Sequence, residues 1–400
     1  MSFMIAHVDA DSFFASVLER LDPGLKGEPL LALGMGGGCV IAASYAAKAK
    51  GVRTGMRLKD ALQLCPHAVC RASDFNETSI ASHQIEAIIQ DHCPIIEQMS
   101  IDEWFLDLTS LVGGVPFDPY LWARDLQSEI LKMTSLSVSI GIAPTKILSK
   151  MAGEYKKPAG VTVLEKRDLE KFLSDRPAAA IPGIGKARQK HSEKRKWVTA
   201  WDFANADRCT VVQLFGRPGA DLQRELLGER LSRVEEDDRP PQSISRCRSF
   251  RKTARNDQLW AHIMQHLSYT VLKMRKQKLA CRGISVWLRE GYDSHSGTNF
   301  RLPQLSDTEE VIAPFVRKCF SRIQKKGIAY TQAGLCLWDL AAKTTTQFSL
   351  FQSPHDTMRD ESLQKSLDQL RVQYGREVVV RGSALAVNEP HEKHLDFSML

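Results

Sequence analysis

The order of strand-like and helix-like segments in residues 3–163 constrains the fold of this chain more than any other feature. Residues 3–8, FMIAHV, form a short apolar run that is typical of a buried strand and is followed by Asp9. Further strands are predicted at residues 30–33, 39–43, 95–99, 104–108, 136–142 and 161–163. Helices are predicted at residues 13–18, 45–50, 58–64, 80–91, 121–133 and 145–155. Strands and helices mixed in this order predict an α/β or α+β core, with Ser12 or Asp11 capping the first helix.

A charged segment with two prolines, residues 235–243, divides the chain and predicts an interdomain linker. Before it, residues 166–234 carry short helical patterns and many basic side chains. After it, residues 244–340 follow the order strand, helix, strand, strand, helix, strand, which predicts a small sheet with both helices on one side. Residues 341–400 are more polar, with one helix predicted over 361–374. A chain of 400 residues is too long for one ordinary core and suits two to four domains.

Composition excludes several classes of protein. The nine cysteines are scattered without a CxxC pair, which argues against a zinc site and favours reduced thiols in a reducing compartment. The sequence contains no run of about 18 apolar residues and no basic signal-peptide region near its start. We therefore expect a cytoplasmic protein without a membrane partner. The formal net charge of +7 permits a polyanionic partner but does not require one.

Three carboxylates lie at the ends of predicted strands. Asp9 follows the first strand, and Asp102 and Glu103 lie between two others. Adjacent side chains of a regular strand point to opposite faces, so a turn is needed to bring both acids of the pair to one site. Carboxylates that converge repel each other unless cations lie among them, and Mg²⁺ prefers such oxygen ligands. On spacing alone, an exposed Asp–Glu turn is the simpler interpretation.

Four segments resemble the motifs of the Y-family translesion DNA polymerases, the DinB and UmuC group. These segments are HVDADSFFAS at 7–16, CVIAASYAAKAKGVRTGM at 39–56, MSIDEWFLDL at 99–108 and SVSIGIAPTKILSKMAGEYKKPAG at 137–160. The resemblance holds in order and spacing over residues 5–340, which makes it far more specific than any single motif. It implies error-prone, template-directed DNA synthesis across lesions in DNA repair and the damage response.

The resemblance also implies an α+β multidomain fold shaped as a right hand with a fourth domain. The palm would comprise residues 1–12 and 76–165, with the fingers at 13–75. The thumb, at 166–234, would precede the linker, and the little finger would occupy 244–340. Residues 341–400 would then form a tail.

By this resemblance, the carboxylates hold two Mg²⁺ ions for two-metal nucleotidyl transfer. Asp9 and Asp102 would bridge both ions, and the backbone carbonyl of Ala10 would bind one of them. Glu103 would complete the shell of the catalytic ion near the primer 3′-hydroxyl. Trp104 departs from the family, which usually has a small residue such as alanine there, and its ring could repack the palm sheet.

Substrate contacts follow from the same motifs. Phe14 aligns with the steric gate that abuts the sugar 2′ position, and the adjacent Phe13 is suited to core packing. Tyr45, Lys48 and Lys157 align with contacts to the dNTP triphosphate. The family often has arginine where this chain has Lys48, so we expect a point charge without the fork geometry of a guanidinium.

Two basic segments are predicted to bind primer–template DNA. The turn IPGIG at 181–185 resembles a helix-hairpin-helix, in which Gly183 and Gly185 let backbone N–H groups approach a phosphate beside Lys186. The sequence HSEKRKWVTAWDF replaces its usual leucine-rich second half, so we expect a distorted hairpin. The segment SRCRSFRK at 245–252 resembles the first strand of the little finger, with Arg246 and Arg248 on one face.

A short motif in the polar tail resembles the bacterial sliding-clamp-binding peptide. It consists of Gln347, Phe348, Leu350 and Phe351, whose rings suit the pockets of a partner. The alternative is that these side chains pack on the little finger of the same chain.

Two questions about function stay open at this level. The first motif resembles DinB, which works alone, whereas residues 38–42, the 245–252 strand and the tail favour UmuC. That branch works with a UmuD-like partner subunit and a recombinase filament, and we expect a UmuC-like or intermediate member. A different class of function is a catalytically silent scaffold that bridges DNA, clamp and repair proteins, although the three intact acids argue against it. A nucleotidyl cyclase with a related palm would lack the hairpin and the little finger.

Overall fold

The computed structural model describes residues 3–34, 37–235, 240–291, 294–343, 354–375 and 378–387, without the side chains of 354–361 and 372. The chain divides into two compact units, Met1–Asp237 and Asp238–His394. The division falls inside the predicted linker. Among the described residues, no helix is both long and apolar enough to cross a membrane.

The first unit contains a five-stranded sheet, a three-stranded sheet and ten α-helices within its described residues. The strands are β1 Ile5–Ala10, β2 Leu30–Leu33, β3 Val40–Ala43, β4 Val69–Ala72, β5 Ile96–Ser100, β6 Glu103–Asp107, β7 Val138–Ala143 and β8 Val161–Val163. The helices are α1 Phe13–Leu21, α2 Tyr45–Ala49, α3 Leu58–Leu64, α4 Phe75–His92, α5 Pro119–Thr134, α6 Lys146–Tyr155, α7 Leu169–Ser174, α8 Lys186–Lys194, α9 Ala200–Ala204 and α10 Arg208–Leu226. The predicted strands and helices are all present, and β4 is an additional strand that the sequence patterns do not indicate.

The larger sheet has the order β5-β6-β1-β7-β8 and is buried on both faces at its centre. Ala6 and Val8 of β1 point to one face, where they pack in a core with apolar side chains of α4 and α5. His7 and Asp9 alternate with them and point to the opposite face. Helix α6 covers β7 and β1. The sheet therefore separates a purely apolar core from a face that carries ionisable groups.

The connection between β1 and α1 differs from its prediction. Ser12 occupies the N-cap position, but it has a left-handed backbone (φ 48°) and makes no side-chain capping bond. Its hydroxyl instead accepts a hydrogen bond from Lys48 Nζ at 2.7 Å. The carboxylate of Asp11 is bound to Ser139 and to the backbone N–H of Ala159. The predicted cap is therefore wrong, because both polar side chains are engaged by distant segments.

The remaining elements of the first unit form two smaller cores. The sheet β3-β2-β4 packs its apolar side chains against α2 and α3 on one face and α1 on the other. Helices α7, α9 and α10 share a separate core with part of α6. Helix α10 is kinked at Gly216, which has a positive φ of 68° and precedes Pro218 by two residues.

The second unit is a four-stranded sheet covered by helices on one face. Its elements are β9 Ser243–Thr253, α11 Asn256–Lys276, β10 Leu279–Arg289, β11 His295–Ser306, α12 Glu309–Ile323, β12 Tyr330–Ala342 and α13 Pro354–Tyr374. The sheet order is β11-β10-β12-β9, with all neighbouring strands antiparallel. The predicted order of strands and helices is confirmed, as is the α+β class, and α13 begins seven residues before its predicted start.

Part of the polar C-terminal region packs onto this sheet domain. Glu309, at the start of α12, is 0% exposed and accepts hydrogen bonds from Arg371 and Arg381. Ala384 joins the apolar core formed by the sheet and its helices. The segment after β12 is thus partly integrated into the sheet domain by a buried ion-pair network.

Candidate active site

The three predicted acids lie at one edge of the large sheet. Asp9 of β1 lies directly opposite Glu103 of β6 in the antiparallel register, so their side chains share a face. Asp102 lies in the turn between β5 and β6, and its backbone carbonyl accepts a hydrogen bond from Ala10 N–H at 2.9 Å. The turn places the backbone of Asp102 beside Ala10, but its carboxylate is not among the ligand atoms that gather at Asp9 and Glu103 within the described residues. The carboxylate of Asp102 accepts a hydrogen bond from Ser100 Oγ at 2.5 Å.

Two lysines are paired with these acids. Lys150 of α6 contacts Glu103 at 2.5 Å, and Lys157 contacts Asp9 at 2.5 Å. Burial raises the pKa of Asp9 to about 6, with the neighbouring carboxylates of Glu103 and Asp102 adding to the rise and Lys157 opposing it. The cluster is thus a site of concentrated negative charge in a poorly solvated setting. A divalent cation would relieve the repulsion more effectively than a single ammonium group.

His7 lies beside the acids and is a residue that sequence reasoning missed. It is two residues before Asp9 on β1, is fully buried, and stacks obliquely on Phe105 with ring centroids 4.8 Å apart. Burial, reinforced by Lys150 and Lys157, lowers the pKa of His7 to about 3. The period of two along β1 could have placed it on the face of Asp9, but only the fold shows how close the two groups are.

Trp104 does not enter the site. It lies opposite Val8 in the register of β1 and β6 and is 0% exposed. Its side chain packs in the core with α4 and α5, on the far face of the sheet from Glu103. The unusual ring therefore fills the apolar core behind the carboxylates and leaves the site itself unobstructed.

The two adjacent phenylalanines have different environments. Phe13 is 2% exposed and belongs to the apolar core, whereas Phe14 is half-buried. The ring of Phe14 makes an edge contact with Phe75 at the start of α4, with centroids 5.7 Å apart. Phe75 is a second residue whose place near the site the sequence did not indicate. The edge contact positions it beside the ring of the predicted steric gate.

Tyr45 and Lys48 of α2 converge on the loop after β1. The Tyr45 hydroxyl donates a hydrogen bond to the Asp11 carboxylate at 3.2 Å, and Lys48 Nζ lies 4.5 Å from the centre of the Tyr45 ring. Burial, followed by the positive charge of Lys157, lowers the pKa of Lys48. The same Asp11 carboxylate accepts from the backbone of Ala159, next to the segment that carries Lys157. Asp11 therefore bonds Tyr45 directly and anchors the segment just after Lys157, while Lys48 bonds the neighbouring Ser12.

Comparison with known proteins identifies the family. The impB/mucB/samB family matches residues 8–154, and the C-terminal domain of that family matches residues 241–350. The chain is 30% identical to DNA polymerase IV 1 of Halalkalibacterium halodurans, over 96% of this chain and 93% of that protein. It is also 33% identical to DNA polymerase IV of Methanoculleus marisnigri, over 78% and 87% of the two chains.

The chain belongs to the Y family of DNA polymerases. It is a DNA-directed DNA polymerase of the translesion type. A DNA polymerase IV of Caulobacter vibrioides is 30% identical over 95% of this chain and 94% of its own. The solved structure of a Y-family DNA polymerase chimera of Dbh and Dpo4 shares the fold, with a TM-score of 0.73 at 24% identity. That structure matches over its whole length and covers 85% of this polymerase.

Y-family polymerases are metal-dependent, and the carboxylate cluster of this polymerase fits that requirement. Ligand atoms of Asp9 and Glu103 lie within 4.8 Å of each other, together with a nitrogen of His7. Carboxylate oxygens are the donors that hard divalent cations prefer. Burial, with smaller contributions from the carboxylates of Glu103 and Asp102, raises the pKa of Asp9, so a cation beside Asp9 would stabilise its ionised form.

The thumb-like helices contain the predicted turn in a modified form. Gly183 has a positive φ of 94°, and the N–H of Ile184 bonds the carbonyl of Ile181 at 3.0 Å, which closes a tight turn. Gly185 is the N-cap residue of α8, and Lys186 is its first, exposed residue. The element before the turn is only a short 3₁₀ segment, Ala178–Ala180. The hairpin is therefore shorter than a full pair of helices.

Arg246 and Arg248 lie on β9 with their side chains on the same side of the sheet as the buried Ile244. This is the side covered by α11, and the Arg246 guanidinium lies 4.1 Å from the centre of the Tyr269 ring. Arg248 is exposed. The two arginines share one face, as the period of two predicts.

The predicted clamp-binding residues, Gln347 to Phe351, lie outside the part of the chain that the structure describes. The nearest described positions are Lys343, after β12, and Pro354, at the start of α13. The clamp peptide therefore stays a prediction from the sequence.

Proposed function

We propose that this polymerase performs error-prone translesion synthesis by two-metal nucleotidyl transfer, with Asp9, Asp102 and Glu103 as the metal-binding acids. The observation that carries the proposal is the register of β1 and β6, which sets Asp9 opposite Glu103 with Asp102 in the adjoining turn. Mg²⁺ ions held there would activate the primer hydroxyl and stabilise the charge of the leaving pyrophosphate. The carbonyl of Ala10 would add a ligand.

The residues around the acids have complementary tasks in this proposal. Lys48 and Lys157 place positive charge beside the acids, where a dNTP triphosphate would lie, and Tyr45 is oriented by Asp11. Phe14 would exclude a ribose hydroxyl, with its ring braced by Phe75. Phe13 would act indirectly, by fixing the position of α1 from within the core.

The domain assignment follows the same reasoning. We assign the palm to residues 1–12 and 76–165, the fingers to 13–75, the thumb to 166–234, the linker to 235–243, the little finger to 244–340 and the tail to 341–400. Primer–template DNA would contact the amides of Gly183 and Gly185 together with Lys186, and Arg246 and Arg248 would hold its backbone. Such phosphate contacts bind without reading sequence.

Partners outside the catalytic reaction are proposed from sequence alone. The motif Gln347, Phe348, Leu350 and Phe351 would bind a bacterial sliding clamp, which tethers a polymerase that holds little DNA by itself. A UmuD-like subunit and a recombinase filament remain candidate partners. The relatives named above are all DNA polymerase IV proteins.

Primer extension by a Glu103→Gln variant tests the catalytic proposal. The substitution keeps the shape of the side chain and removes the charge, so we expect at least about a hundredfold slower nucleotide addition, since metal-mediated charge stabilisation contributes several kcal/mol. Glu129→Gln is a matched control, because Glu129 is an exposed acid on α5 that pairs with His92. DNA binding by both variants should stay near that of the wild type. Extension by Glu103→Gln at the control rate would overturn the role of Glu103 as a metal-binding acid, whereas a wild-type protein that extends no primer would favour a catalytically silent scaffold.

A further inference from the structure

His7 is a buried polar group without a partner in the part of the chain that the structure describes. It is 0% exposed, and neither ring nitrogen makes a hydrogen bond to a described residue. One side of the ring faces Phe105, and Gly153 of α6 approaches Nδ1 so closely that an added Cβ would lie 3.2 Å from it. An imidazole always carries at least one N–H donor, and leaving a donor unsatisfied in the interior costs about 1–3 kcal/mol. A ligand bound to the His7 imidazole would remove this cost.

The surroundings of His7 define which ligand fits. His7 and Asp9 are separated by two positions on β1, and Glu103 lies opposite Asp9, so all three side chains share one face of the sheet. Their ligand atoms lie within 4.8 Å of one another. One nitrogen and two carboxylate oxygens form a donor set typical of borderline transition metals such as Zn²⁺ and Co²⁺. Mg²⁺ prefers oxygen ligands alone.

We propose that His7, Asp9 and Glu103 bind a single divalent transition-metal ion, and that this binding excludes the catalytic metal ions and inhibits the polymerase. The proposed metal-ion binding is argued from the geometry alone. The proposed inhibition of the polymerase rests on the catalytic role proposed above for Asp9 and Glu103. This arrangement uses a nitrogen ligand and does not require Asp102, which is turned towards Ser100.

Two changes must accompany binding. Ligands held about 2.0–2.2 Å from one ion lie nearer to each other than 4.8 Å, so the three side chains must approach by roughly an ångström. Lys150 and Lys157, which contact the two carboxylates, must release them, because the ion takes over their role of balancing charge. Both lysines are partly exposed, so their ammonium groups can move into water.

Co²⁺ titration followed by visible absorption tests binding without any need for catalysis. We expect one Co²⁺ per chain with an absorption band of a nitrogen–oxygen site of low coordination number. Replacing His7 by phenylalanine, which keeps a buried ring, should weaken Co²⁺ binding at least about tenfold, because the loss of even an indirect metal contact has that effect. His266→Phe is the matched control, since His266 is an equally buried histidine in the second unit. Unchanged affinity and absorption in a folded His7→Phe variant would overturn the proposal.

If His7→Phe does not fold, the wild-type protein still gives an answer. Pulsed electron paramagnetic resonance with bound Cu²⁺ should show coupling to an imidazole nitrogen that disappears in Glu103→Gln. A wild-type spectrum with no coupling that depends on Glu103 would refute the site.

Inhibition is measured separately by primer extension with Zn²⁺ at several Mg²⁺ concentrations. We expect Zn²⁺ to compete with Mg²⁺, and the Zn²⁺ needed for half-inhibition to rise at least about tenfold in His7→Phe, each variant being compared with its own zinc-free rate. If the protein binds Co²⁺ but Zn²⁺ does not compete with Mg²⁺, the proposed inhibition is wrong and the proposed metal site is still supported. If the wild-type polymerase is active but binds no Co²⁺, the metal site is refuted and the proposed function is unaffected.

Discussion

The close contact between α6 and β7 leads to a prediction that links packing to the active site. A Cβ placed on Gly141 would lie 2.1 Å from both the backbone N of Gly153 and the backbone carbonyl of Ser149. Ordinary van der Waals contact begins near 3.4 Å. Gly141→Ala therefore requires α6 to move away from the sheet by about 1.3 Å, and both clashing atoms are backbone, which cannot rotate aside.

The size of the effect follows from this displacement. Overpacking of this kind costs about 1–3 kcal/mol, and more where backbone must shift. In a domain of this size, roughly 2–4 °C of melting temperature is lost for each kcal/mol, so we expect Tm to fall by about 2–12 °C. Helix α6 also carries Lys146 and Lys150, which pair with Glu97 and Glu103. Moving it disturbs the charge balance beside the acids proposed to be catalytic, so nucleotide addition should slow even at temperatures where the variant is folded.

Thermal unfolding and steady-state primer extension measure the two consequences. Gly291→Ala serves as the control, because a Cβ at Gly291 would meet no atom within 4 Å. We expect the control to match the wild type in both measurements. A Gly141→Ala variant with the stability and extension rate of the control would show that α6 does not contact β7 as closely as described, and the reasoning would fail.

Three further predictions address other parts of the molecule. Phe14→Ala should raise ribonucleotide incorporation relative to deoxynucleotide by roughly tenfold or more, since it opens the space that a 2′-hydroxyl needs; an unchanged sugar preference would place the gate elsewhere. Glu309→Gln should lower the free energy of unfolding of the second unit by about 3–5 kcal/mol, measured by chemical denaturation, because it leaves the buried Arg371 without a counter-charge. A change in the free energy of unfolding below about 1 kcal/mol would contradict the interpretation of Glu309 and Arg371 as a buried ion pair. Alanine at Phe348, Leu350 and Phe351 should weaken sliding-clamp binding and clamp-stimulated synthesis while clamp-free synthesis stays near the wild-type rate; loss of clamp-free activity with unchanged clamp binding would instead indicate packing on the polymerase itself.

His7, His266 and Trp104 show that local sequence patterns do not determine which surroundings a buried side chain will have. His7 and Trp104 both lie in strands that the sequence predicts, and the period of two tells which neighbours share a face with each. It does not tell which face is covered by apolar helices. In the folded protein Trp104 packs against α4 and α5, whereas His7 lies under α6 beside the acids. His266 is buried in a helix of the second unit, and among the residues that the structure describes no group of three potential metal ligands includes it.

The sequence by itself determined most of the elements, their order and the positions of the three acids along the chain. Short apolar runs, helical spacing and turn residues are local properties, so they specify where strands end and hence where Asp9, Asp102 and Glu103 lie. Local patterns do not specify contacts between distant segments. The pairing of Asp9 with Glu103, the engagement of Asp11 and Ser12 that displaced the expected cap, and the bracing of Phe14 by Phe75 were decided by tertiary structure. The physical reason is that each depends on strand register and helix packing, which minimise the free energy of the whole chain and are not encoded in any single segment.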